Sequence, residues 1–76
     1  MSRIQNLEVG VLHNLKAYKI EKGMSEAAAA AWAQANFSAG MALVQGVLDL
    51  PGNRKDTEKA ARAAFIDLKA WAQSTQ

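Results

Sequence analysis

Cysteine is absent from this 76-residue chain, so neither a disulfide nor a thiolate metal site can staple it. Histidine occurs once, at His13, which leaves no histidine-based zinc site and makes His13 an exposed structural residue. Proline also occurs once, at Pro51, and no run of alternating β-branched residues is present, so the chain has no strand vocabulary. No window holds the ~20 apolar residues of a membrane span, because Gln34, Asn36, Ser38 and Gln45 interrupt Met24–Leu48. The start, MSRIQNLEVGV, lacks the basic, apolar and small-residue segments of a signal peptide, and a cytoplasmic address is expected. Catalytic grammar is missing too. There is no cysteine nucleophile, no Gly-x-Ser-x-Gly elbow and no phosphate loop of Walker spacing, and the seven acids are dispersed. The expectation is a protein that is not an enzyme, with no catalytic residues, metal or cofactor.

What the chain does have is helical grammar, and it predicts one all-α domain over residues 1–76. A first helix is expected over about 2–22, with Ile4, Leu7, Val11, Leu15 and Tyr18 on one stripe. Lys19 and Lys22 fall in its last turn, where cations suit the helix dipole, and Gly23 ends it. Ser25 caps a second helix over about 26–49, with Glu26 in its first turn. Leu50-Pro51-Gly52 stops that helix, and Asn53 caps a third over about 54–73. Thr57, Ala61, Ala64, Phe65, Leu68, Trp71 and Ala72 form its core stripe. Short connections favour antiparallel neighbours, hence a three-helix up-down-up arrangement dominated by a long hairpin of helices two and three.

The middle helix carries more apolar surface than two neighbours can cover. Phe37, Met41, Val44 and Leu48 make one stripe and Trp32, Leu43, Val47 and Leu50 a second. Ala28, Ala31, Ala35, Ala39, Ala42 and Gly46 make a groove of small side chains between them, fit for close helix approach, although alanine is also simply a good helix former. A chain this short buries only about 60% of its unfolded surface, so a partner would add needed stability. A homo-oligomer, or a host protein partner, is therefore expected, with Trp32, Phe37, Met41, Val44, Leu48 and Ile66 at the interface.

One face of the third helix is basic. Lys55, Lys59, Arg62 and Lys69 share about 80° of its circumference at 100° per residue, Ile66 sits among them, and Arg54 stands at the helix start. Such a stripe either contacts phosphates, with the apolar residue against a base or sugar, or serves only to keep an apolar protein dissolved. The net charge of +2 does not decide between these readings. A helix-turn-helix is a poor fit, because the middle helix is too long and apolar to read a groove. An accessory subunit of a larger assembly is a further alternative.

The stretch LDLPGNRKDTEKAARAAFIDLKAWAQ resembles the helical hairpin of phage anti-CBASS proteins, small sponges for cyclic oligonucleotide signals. Leu50, Pro51, Arg54, Leu68, Trp71 and Ala72 carry the resemblance, which covers the last third of the chain. It implies a non-catalytic, phage-encoded helical oligomer, an inhibitor acting in the host cytoplasm. Such a protein holds a cyclic oligonucleotide or similar anionic ligand at subunit junctions, with Arg54 as a phosphate contact.

Overall fold

The computed structural model describes residues 2–49 and 54–75, and only the backbone of Arg3, Leu48, Asp49 and Arg54. It is all-α: helices α1 (Arg3–Glu21), α2 (Glu26–Ala35), α3 (Phe37–Val44) and α4 (Arg54–Ser74), with a short 3₁₀ helix over Gln45–Asp49. No strand occurs among the described residues. The Leu50–Asn53 stop and the Asn53 cap lie outside the described residues.

Local chemistry sets the ends of α1 and the start of α2. Ser2 and Gln5 form a reciprocal capping box: the Gln5 amide donates to Ser2 Oγ at 3.2 Å, and the Ser2 amide donates to Gln5 Oε1 at 3.0 Å. At the other end Gly23 takes φ 99°, open to glycine at no steric cost. The chain reversal there lets the Met24 amide reach the Lys19 carbonyl at 3.0 Å and the Gly23 amide the Ile20 carbonyl at 2.9 Å. Ser25 Oγ then accepts from the Ala28 amide at 3.2 Å, opening α2.

The expected single helix over 26–49 is divided. Asn36 sits at φ −109°, ψ 10°, off helical geometry, and its side-chain amide donates to the Trp32 carbonyl at 2.9 Å. Asparagine competes for backbone partners in this way, which is why the helix falters there and not among the alanines. The second irregularity follows Val44, where the chain tightens to 3₁₀ geometry. Each change rotates the faces presented to neighbours, so a wheel drawn for one straight helix assigns the wrong residues to the outside.

Helix α1 packs on α2, α3 and α4, and α3 also packs on α4. The C-terminal ends of α1 and α4 lie together, since Gln73 Nε2 donates to the Tyr18 carbonyl at 3.4 Å and Lys69 pairs with Glu21 at 3.5 Å. The core joins Val11 and Leu15 of α1, Ala33 of α2, Met41 and Val44 of α3, and Leu68 and Ala72 of α4. Leu7, Tyr18, Trp32, Phe37, Phe65 and Trp71 pack around it. Ile4, expected on the α1 core stripe, is instead 46% exposed, because it belongs to the first turn.

Candidate functional site

The structure redistributes the residues expected at a subunit interface. Met41 and Val44 are enclosed by the chain's own core, and Phe37 is half-buried against it. The face of α3 that carries them lies on α1 and α4, while Leu43 on its other side is 45% exposed. Trp32 is likewise turned inward, while the Leu48 side chain falls outside the description. Ile66 is the one expected interface residue found fully outside, at 69% exposure. The small-residue groove also turns out differently. Ala28, Ala31, Ala35, Ala39, Ala42 and Gly46 all face outward. Close helix approach comes instead from Ala29, Ala33 and Gly40, which are buried where α2 and α3 meet α1.

Lys19 lies in the last turn of α1, as expected, but is buried there. It is 5% exposed, with its ammonium 4.4 Å from the centroid of the Trp32 ring and donating to the Thr75 carbonyl. The long apolar stem allows this, since it packs in the seam while the charge finds the aromatic face and a carbonyl at the end of α4. Trp32 meets Trp71 at 5.8 Å between ring centroids, tilted by 43°. Burial beside them, and secondly the Glu21 carboxylate, hold the Tyr18 hydroxyl above the ordinary tyrosine pKa of 10.0. The Trp32 indole N–H is buried without a hydrogen-bond acceptor. Trp32 and Trp71 are half-buried, and with Lys19 they bring together residues of α1, α2 and α4.

The basic residues of α4 separate into two groups. Lys55, Lys59 and Arg62 are exposed on the side of α4 away from buried Leu68 and Ala72, and exposed Ile66 follows one turn after Arg62. Lys69 belongs to the same stripe but leans to Glu21 of α1, so it is partly neutralised. Arg54 begins α4, and its side chain, proposed as a phosphate contact, lies outside the description. What remains is a row of three exposed cations with exposed Ile66 one turn beyond Arg62.

A second open feature lies between α1 and the α2–α3 junction. It is a groove of about 510 Å³ lined by Gln5, Glu8, Val9, Leu12, Gln34 and Phe37. It continues into a smaller hollow bordered by His13, Lys16 and Ala30. Val9 at 57% and Leu12 at 37% exposure make its apolar wall. Lys16 closes one end through an ion pair to Glu26 at 3.0 Å. Sequence reasoning missed this groove because Val9 and Leu12 lie off the α1 core stripe, and only the angle of α2 places Phe37 beside them.

Among the described residues, no group of three His, Asp or Glu side chains could hold a metal ion. Among the same residues, no helix is long and apolar enough to cross a membrane. No known protein family, no curated protein and no solved structure matches the chain.

Proposed function

We propose that the chain is a non-catalytic helical binding protein, working as a homo-oligomer that sequesters an anionic target on the outer face of α4. The observation that carries this reading is the exposure of Lys55, Lys59 and Arg62 in a row that ends at exposed Ile66, on the side of α4 away from its buried residues. Spaced cations suit phosphates, and an exposed isoleucine beside the last of them suits the face of a base or the edge of a sugar. A cyclic oligonucleotide signal, and with it phage origin, host cytoplasm and an inhibitory role, are drawn from the resemblance of residues 50–72. Single-stranded nucleic acid is recognised by the same chemistry.

The test is fluorescence anisotropy with a labelled cyclic dinucleotide and a labelled oligo-dT over a range of salt. Binding through three phosphates of the oligo-dT gives a slope of log K against log salt of about −2, as expected for counterion release from a single strand. The double variant Lys59→Glu/Arg62→Glu should abolish binding of whichever probe binds. Binding left intact by that variant overturns the reading. The apolar groove favours a second reading, an accessory subunit that accepts a helix of another protein there, and pull-down from the native host distinguishes it.

A further inference from the structure

We infer that two copies of the chain pair antiparallel across the outer face of α1, with Leu12 on the two-fold axis and Glu8 of each copy opposite Lys16 of the other. This rests on the homo-oligomer part of the reading above and specifies its interface. It is independent of any ligand on α4.

Residues four apart form a ridge along a helix. On α1 one such ridge reads Ile4, Glu8, Leu12, Lys16, Ile20, an alternation of apolar, acidic, apolar, basic and apolar. Reversed about Leu12, the ridge exchanges Glu8 with Lys16 and Ile4 with Ile20. Antiparallel pairing therefore sets each charge against its opposite. Parallel pairing in register would set glutamate on glutamate and lysine on lysine. The ridge is also available, since Ile4, Leu12 and Ile20 are 46%, 37% and 42% exposed. Isologous contacts of this kind, in which one patch meets its own copy, generate closed dimers.

The groove beside the ridge supplies the depth a flat helix face lacks. Leu12 forms part of its wall, and Val9, the most exposed apolar residue of α1, stands next to it. In the antiparallel pair, the Val9 and Leu12 side chains of one copy fill the space between α1 and Phe37 of the other. Lys16 already bonds Glu26 at 3.0 Å, but an ammonium has three donors and this one is a third exposed, so it serves Glu8 of the second copy as well. Rim ion pairs contribute little affinity, yet they fix orientation. The expected dimer is weak and its register is set by charge.

The experiment is sedimentation equilibrium of the full chain, up to hundreds of micromolar, at low salt, with circular dichroism to verify folding. Glu8→Lys places lysines opposite Lys16, and Lys16→Glu places glutamates opposite Glu8, so each variant alone should dimerise about tenfold more weakly. Mixed in equal amounts, the two variants should form a heterodimer, because every facing pair is then opposite in charge. The double variant Glu8→Lys/Lys16→Glu should recover the homodimer. Because the chain has no cysteine, a Leu12→Cys variant should oxidise to a covalent dimer, whereas Ile66→Cys on the far face should not. A native chain that stays monomeric overturns the inference, as does a dimer indifferent to the charge exchange or cross-linked through position 66 instead of 12. A groove filled only by a different protein also overturns it. A monomer that still binds anions refutes the homo-oligomer and this pairing with it but leaves the anion-binding face of α4 standing; a dimer that ignores the α1 charge exchange refutes this pairing alone, and a dimer that binds no anion refutes the α4 reading alone.

Discussion

Gly40 of α3 is buried against α1 and α4, and replacing it with alanine isolates the cost of one methyl group. A Cβ built there meets Leu15 Cδ1 at 3.0 Å, Val11 Cγ1 at 3.3 Å and Leu68 Cδ1 at 3.5 Å. Leu15, Val11 and Leu68 are each 0% exposed, so none can swing away into solvent. In an open helix, glycine to alanine is worth about 1 kcal/mol of added stability. Inserting a methylene into a packed core costs about 1–3 kcal/mol. The net expectation for Gly40→Ala is a loss of up to about 2 kcal/mol, which in a domain of this size lowers the melting temperature by several degrees. Gly46 is the internal control, because a Cβ there meets nothing within 4 Å. Gly46→Ala should gain a few tenths to about 1 kcal/mol, the ordinary backbone effect. Urea titration followed by circular dichroism compares the two with the native chain. If Gly40→Ala proved as stable as Gly46→Ala, the seam would be loose enough to absorb a methyl group, and the packing argument would fail.

Three further outcomes follow from the same contacts. Lys19→Met keeps the buried stem but removes the charge over Trp32 and the hydrogen bond to Thr75; it should cost about 1–3 kcal/mol in thermal unfolding. Tyr18 is the only tyrosine, so absorbance of tyrosinate follows its titration directly, and the folded midpoint should lie above the unfolded value of 10.0. Since the folded state holds that proton more tightly, the associated stability is complete below pH 10 and is lost as pH rises through the folded midpoint; Glu21→Gln should move the midpoint partly back. Charge reversal at Lys59 and Arg62 should abolish anion binding and leave the melting temperature near native, because both side chains are exposed.

The parts of the fold that were legible in advance are those decided within a few residues. Gly23 and Ser25 mark helix ends through hydrogen bonds to near neighbours, and their chemistry shows in the sequence, whereas the Ser2–Gln5 capping box was not read from it. The α4 stripe was legible because a regular helix keeps one phase over its whole length, placing Leu68 and Ala72 inside and Lys59, Arg62 and Ile66 outside. Phe37, Met41 and Val44 were not, because their direction depends on the break at Asn36, a competition between one side-chain amide and the helix. Lys19 illustrates a different limit. Its burial requires Trp32 and Thr75 to arrive from distant parts of the chain, and no local pattern announces them. The basic face of α4 was therefore readable residue by residue, whereas the α1 groove exists only through the angle between helices.

The aromatic knot has a practical consequence for anyone following this protein by light. Both tryptophans sit in one contact, and the only tyrosine packs against the same core. The chain's remaining aromatic residues, Phe37 and Phe65, are nearly silent in emission. Intrinsic fluorescence is therefore a gauge of the one contact between α2 and α4 and of the core packed against it, whereas dichroism reports all the helices. Coincidence of the fluorescence and dichroism transitions would then measure how far cooperativity extends along the molecule.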